Sequence, residues 1–544
     1  MSPAHLPKFA AGSAACSVDR AIAERDKGCG RDAPQRAVGR PDKDNLVTDP
    51  IHPQRDENPL SDDKDGATTA AAVARRCSGR TLLRRSAPVR GGGIGRVART
   101  AAGLICPAAI VIAGCSGATN ASQSAGQPVK GQPAFPGAVG YGAGSKGGRG
   151  GQVIAVTTLA DGGPGSLRAC IDAQGPRVCI FRVAGLIRFT TKPPVIRNPY
   201  LTIAGQTAPG GGITLAHEGG PLGFTPLVIK NSHDVVVRHI RVRNDRIGGK
   251  QGSEDSFTIE NSEQVILDHV SGSWARDELV NGYGDNDWVT VSNSIFAEGI
   301  PKHDKCALLA SDPKGPQHFS FIGNLCAHNG DRNPDVNFPP GSCAEVINNV
   351  FYNAQSEFAE IWESYGGVPV SLIGNSFIAG KNTHPETIGI TRNVVGSKGL
   401  AKVYLADNQF EGDFIRTSPL LKEVEVAAPP CPATIAPAPA AQAFEQVLRN
   451  AGAFPRDTFD RGILNQLRDR TGRIVRQPGV IDEIAPGTPY PDGDGDGMDD
   501  GWEWGHGANP RRADAWQDAD GNGLSNLDQF LDSLSRTLSQ RNDL

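Results

Sequence analysis

One short unit recurs along the middle of the chain and limits what it can fold into. LTIAG, VVVRHIRVR, VILDHV, VTVSNSIF, FSFIGNL, EVINNVFY, VSLIGNSFI and KVYLADNQF each run as an apolar strand and then break at a turn. In the last five, Asn293, Asn324, Asn349, Asn375 and Asn408 take the same place, just before a small or apolar pair. They follow one another at intervals of 31, 25, 26 and 33 residues. Strand-and-turn repeats of this length predict a solenoid. In a parallel β-helix each strand stacks on its equivalent one coil away. An Asn at a coil turn then stacks on Asn and shares amide hydrogen bonds. A β-sandwich with Asn in unrelated turns is the competing all-β reading, because the spacing is uneven. Surplus length per coil maps to loops on one face, where binding residues gather.

Composition narrows the function. The chain has 544 residues, enough for a large core and more than one domain. A formal net charge of −4 gives no reason to expect nucleic acid or a membrane surface as partner. With 67 Gly, 40 Pro and 6% aromatic residues, the chain favours many short turns over long helices. Its 11 Cys are scattered, with no CxxC pair to suggest zinc. Cys170 and Cys179, and Cys326 and Cys343, are close enough in sequence to pair, as suits an exported protein.

Residues 1–88 show no sustained apolar period and read as disordered, or as an extension upstream of the true start. Residues 89–115 have the layout of an export signal: arginines, an apolar run from Ala101 to Ala113, then a small-residue end. Translation is then expected to begin near Val89. IAGC resembles a bacterial lipobox, which would place a lipid on Cys115. Residues 116–134 read as a flexible tether. The protein is expected to be secreted, or lipid-anchored on the outer surface of a bacterium.

From Phe135 the texture changes. FPGAVGYGAGSKGGRGGQVIAVTTLADGGPGSLRACI is Gly-rich around one strand, and lacks the Lys-Ser/Thr that would make it a phosphate loop. That stretch, followed by YLTIAGQTAPGGGITL, VILDHVSGSWARDE, DRNP and the tail AFEQVLRNAGAFPRDTFDRGIL, resembles the pectate lyase superfamily, polysaccharide lyase family one. The match runs from about Phe135 to about Val480, with its motifs in the family's order. It implies a right-handed parallel β-helix over 135–480, of the pectin lyase-like solenoid type, and β-elimination of polygalacturonate.

β-Elimination of a uronate needs its carboxylate neutralised, its C5 proton removed and the developing enolate stabilised. Ca²⁺, a hard ion that takes carboxylate oxygens from protein and substrate alike, suits the first task. By similarity, Asp255 and Asp277 occupy Ca²⁺-ligand positions. Asn281, four residues after Asp277, falls where relatives often carry an acid, and Glu278, next to Asp277, is a candidate to substitute for it. Arg332 aligns with the catalytic Arg and Lys305 with the substrate-binding Lys; Lys302 is the alternative. Arginine is an awkward base because its pKa exceeds 12. Nearby cations and bound Ca²⁺ are expected to lower it. The safer role is to stabilise charge developing at C5. Asp268 and His269 in VILDH match a family signature, and His269 reads as structural. After DRNP relatives often carry a further basic residue, whereas this chain has Asp335-Val336, so its grip on substrate is expected to differ.

VAAPPCPATIAPAPAAQ reads as a loop and AFEQVLRNAG as a short helix. Residues 481–544 carry a second motif. Asp492, Asp494, Asp496, Gly497, Asp500 and Glu503 fall at positions 1, 3, 5, 6, 9 and 12 of an EF-hand-type loop. Asp518, Asp520, Asn522, Gly523 and Asn526 suggest a second loop, with Gln529 where Glu belongs. A compact Ca²⁺-binding appendage is expected, with a dockerin-like module as the lesser alternative. The expected protein is a monomeric, Ca²⁺-dependent lyase acting on an acidic polysaccharide. A non-catalytic pectin-binding or adhesin-like β-helix, and a lyase for esterified pectin or another polyuronate, are the alternatives.

Overall fold

A computed structural model describes residues 131–250, 252–397 and 399–541. The upstream extension, the export segment, Cys115 and the tether as far as residue 130 lie outside them. All strand pairings are parallel, in three long sheets of ten, nine and nine strands. Each coil gives one strand to each sheet. Glu263–Asp268, Ser271–Ser273 and Glu278–Tyr283 make one coil, and Asp287–Ser292 begins the next. The fold is a parallel β-helix of about ten coils. No helix among the described residues is long and apolar enough to cross a membrane.

The core is a set of columns rather than one layer. Val235, Val265, Val289 and Phe319 stack in register, as do Val237, Leu267, Val291 and Phe321, all at most 1% exposed. Each such side chain contributes roughly 1.5–3 kcal/mol through burial. β-Branched and aromatic residues suit these positions because they pack on a pleated surface against like neighbours. A helix, Leu167–Asp172, sinks Leu167, Cys170 and Ile171 into the core at the first coils.

The turns after the last seven strands of the ten-stranded sheet hold two adjacent columns. One is left-handed backbone: His239, His269, Asn293, Gly323, Asn348, Gly374 and Asp407 all have φ between 48° and 67°. The next is the amide ladder. Asn324 Nδ2 donates to Asn349 Oδ1 at 3.2 Å, Asn349 to Asn375 at 3.0 Å and Asn375 to Asn408 at 3.0 Å. Asn293 belongs to the first column, not to the ladder. Ile295 pairs with Leu325, which puts Ser294 level with Asn324, and the backbone N–H of Ser294 donates to Asn324 Oδ1 at 3.0 Å. The interval of 31 residues is therefore one too long. Asn suits both columns, since it tolerates left-handed backbone and also bonds the chain above it.

Disulfides join Cys170 to Cys179, Cys306 to Cys326 and Cys343 to Cys431. The first matches expectation. Cys326 does not pair with Cys343, because each meets a cysteine from another coil or from the Pro/Ala-rich loop. That loop leads into helix Ala440–Asn450, which with helix Thr458–Asp469 covers Ile295, Leu325, Val350 and Ile378 on the outer side of one sheet. Helices Asp500–His506 and Asn526–Arg541 follow. Met498, Leu527 and Phe530 from this tail share a core with Val178, Ile180 and Ala204 of the first coils.

Candidate active site

The candidate residues collect where successive strands of one nine-stranded sheet begin. Phe257 pairs with Val280, which sets Asp255 level with Glu278. Glu278 pairs with Lys305, and Lys305 bridges to Asp331. Four positions far apart in sequence thus form one column, reading acid, acid, base, acid at about 4.8 Å per strand. The solenoid brings them together simply by repeating.

Asp255 is 2% exposed. It accepts from Thr258 Oγ1 at 2.6 Å, from the Glu278 N–H at 3.1 Å and from Asn281 Nδ2 at 3.2 Å. Burial, with Asp277 and Glu278 nearby, holds its carboxyl well above the usual range. Burial also pushes Glu278 up to about 7, reinforced by Asp277. Ligand atoms of Asp277, Glu278 and His303 lie within 4.8 Å of one another, and His303 Nδ1 is 2.5 Å from Asp277 Oδ1. Asn281 Oδ1 is buried with no hydrogen-bond partner. Asp277 and Glu278, with buried Asp255 nearby and the orphaned amide oxygen of Asn281, fit a hard cation, which supplies the charge these groups lack. His303 was not foreseen; its only sequence signal is its place between Lys302 and Lys305.

Arg332 lies in left-handed backbone, φ 50°. Its guanidinium pairs with Glu278 and stands 3.6 Å from Asp335. Burial alone would lower its pKa, but Glu278, Asp335, Glu360 and Asp331 raise it. The net effect of these neighbours is opposite to the expected lowering. Lys305 pairs with Asp331, while Lys302 is exposed. Asp335 is 2% exposed and is pushed to about 7 by burial, against the opposing pull of Arg332. His269 lies elsewhere: it bonds Asp268 at 2.7 Å and packs against Phe454, in keeping with a structural role.

In the tail, Asp492, Asp494 and Asp496 converge, and Asp496 also meets Glu503 and Asp514. Glu503 is fully buried with both oxygens unpartnered. Asp500 stands outside these groups and accepts from the Gly493 N–H at 2.7 Å. Asp514 takes part instead; lying beyond the loop pattern, it could not be read from spacing. In the second loop, Asp518 and Asp520 accept from the loop's own N–H groups, Gln529 donates to Asp520, and Asn526 donates to Asp514.

No family model matches the chain. It is 33% identical over 422 residues to a probable pectate lyase C of Aspergillus flavus, covering 74% of this chain and 94% of the relative. It is 33% identical over 425 residues to the Aspergillus fumigatus protein of that description, covering 75% and 95%. Among solved structures, the cedar pollen allergen Jun a 1 is 17% identical with a TM-score of 0.43, covering 58% of this chain and 92% of that one. A Bacillus sp. N165 pectate lyase solved with trigalacturonate is 16% identical with a TM-score of 0.40, covering 58% and 99%. On the extent and identity of the fungal matches, the chain belongs to the pectate lyase family and is a polysaccharide lyase.

Proposed function

We propose that the protein is an exported, Ca²⁺-dependent pectate lyase that cleaves polygalacturonate by β-elimination to unsaturated oligogalacturonides. The column Asp255–Glu278–Lys305, with Asn281 and Arg332 beside it, carries this reading. Asp255, Asp277, Glu278 and Asn281 would hold Ca²⁺. When bound, the ion neutralises the uronate carboxylate and acidifies the C5 proton. Lys305 sits one strand along, placed to fix a neighbouring carboxylate. Arg332, a guanidinium that stays protonated at ordinary pH, suits stabilisation of enolate charge better than proton abstraction. Three disulfides support export. Asp492, Asp494, Asp496, Glu503 and Asp514 would hold a further Ca²⁺ in an EF-hand-like loop, serving the stability of the tail.

The test is ultraviolet detection of unsaturated uronides from polygalacturonate and from methyl-esterified pectin, with and without chelator. Product from polygalacturonate that disappears in chelator is expected, and Asp277→Ala should raise the Ca²⁺ needed. Chelator-insensitive cleavage confined to esterified pectin would overturn the substrate assignment.

A further inference from the structure

We propose that Asp331, Glu357 and Glu360 form a second divalent-cation site, suited to Ca²⁺, on the far side of Lys305 from the Asp277–Glu278 group. One carboxylate oxygen from each lies within 4.8 Å of the others. Glu360 is 3% exposed, and its Oε2 has no hydrogen-bond partner. Asp335 is level with it on the adjacent strand, 2% exposed, with Oδ1 likewise unpartnered. Two orphaned oxygens at one place are more than a solvated acidic patch, since a buried polar atom without a hydrogen-bond partner is costly.

The local charges point the same way. Asp331, Asp335, Glu357 and Glu360, together with Glu278, gather around Arg332 and Lys305. Carboxyl groups outnumber bases there, so oxygen ligands remain for a divalent ion. The donors are all oxygen, which favours a hard cation over one that seeks nitrogen or sulfur.

This position gives the site a role in the groove. Lys305 is tied to Asp331, a member of this group, and Arg332 to Glu278, a member of the other. Ligation of Asp331 withdraws the partner of Lys305, just as ligation of Glu278 withdraws that of Arg332. The two bases of the column are then free to face a polyanion. From Glu278 to the strand Glu357–Glu363 is three strand steps, about 14 Å. The two cations would bracket the bases within one stretch of substrate.

Binding can be measured without substrate, so the proposal does not depend on the lyase reading. Full-length protein stripped with chelator is dialysed against Ca²⁺, and the bound ions are counted. Glu360→Gln should bind one ion fewer than wild type, and Asp277→Ala combined with Glu360→Gln two fewer. Lys305→Ala removes the competing ammonium and should tighten one ion roughly fivefold at unchanged stoichiometry. Circular dichroism checks the fold. If Glu360→Gln does not fold, Glu357→Gln decides, because its carboxylate is only half-buried. Wild-type stoichiometry and affinity in the folded variant would overturn the site. The expected counts with no elimination on any uronate would sink the lyase reading and leave this site standing.

Discussion

At the scale of single residues, the site is a contest between acids and bases for one another. Arg332→Ala should lower turnover about a thousandfold, the loss expected when a group that stabilises developing charge is removed. Its Ca²⁺ affinity should not weaken, because Glu278 loses a competing partner. Initial rates and a calcium titration check both parts; a variant keeping most of its turnover would remove Arg332 from the chemistry. A second residue reports on stability. His328 is buried and is held down to about 4 by burial, although Gln466 opposes this. Its Nδ1 lies 2.7 Å from Asn353 Nδ2, an arrangement that suits neutral imidazole. In the unfolded chain this histidine takes up its proton near pH 6.5. Between pH 6.5 and 4 the unfolded state therefore binds more protons, and stability falls as pH falls through that window. The full loss is roughly 3 kcal/mol. Urea unfolding at pH 7 and pH 5 should show that slope in wild type and a shallower one in His328→Gln. Equal slopes would show that His328 does not carry it.

At the scale of elements, the coil is held by what repeats and specialised by what does not. Asn349 accepts from the Asn324 N–H at 2.8 Å and donates to Phe321 O at 2.8 Å, besides its bonds along the ladder. It is fully buried, so Asn349→Ala leaves the Asn324 N–H without its acceptor and Phe321 O without its donor, with no water to replace them. A loss of about 2–4 kcal/mol is expected, since each orphaned buried group costs its desolvation. Denaturant midpoints at constant slope check it, and a change under 1 kcal/mol would make the ladder a consequence of the fold rather than a support. Asn293→Gly is a contrasting case. Its left-handed backbone needs no Cβ, so only the 3.0 Å bond from its Nδ2 to Asp268 is lost.

At the scale of the whole molecule, the tail is joined to the β-helix more closely than a trailing appendage would be. Arg149 pairs with Asp528 at 2.8 Å, Trp516 Nε1 donates to Gly151 O at 2.8 Å, and Ser535 lies 2.8 Å from His239 Nε2. Gly497, the turn glycine of the acidic loop, has φ 95°, and a Cβ there would come within 2.7 Å of Val153. One residue thus meets two demands, the loop's sharp turn and the close approach to the first coil. A chain ended after Val480 should keep chelator-sensitive turnover on soluble polygalacturonate, yet unfold at a temperature lower by roughly 5 °C or more, because Val178 and Ile180 lose their cover. Scanning calorimetry beside the activity assay tests this. A folded truncate with no turnover would place the tail in the substrate path.

The sequence by itself determined the repeating architecture, the family and the chemical types at the site, because all three are written locally. Strand periodicity, turn residues and motif order need no knowledge of neighbours. It located Asp255, Asp277, Glu278, Asn281, Lys305 and Arg332 as single positions. Only the tertiary structure decided their company. The coil lengths fix the register, and register alone sets Asp255 beside Glu278, Glu278 beside Lys305 and Asp335 beside Glu360. One residue more in a coil moves a side chain to the other face of the sheet. That is why Asn293 falls one position short of the ladder, while contacts between distant segments set Cys326 against Cys306 and bring Asp514 to Asp496 and Glu503. The same stacking of coils sets Arg332 beside Glu278 and Asp335.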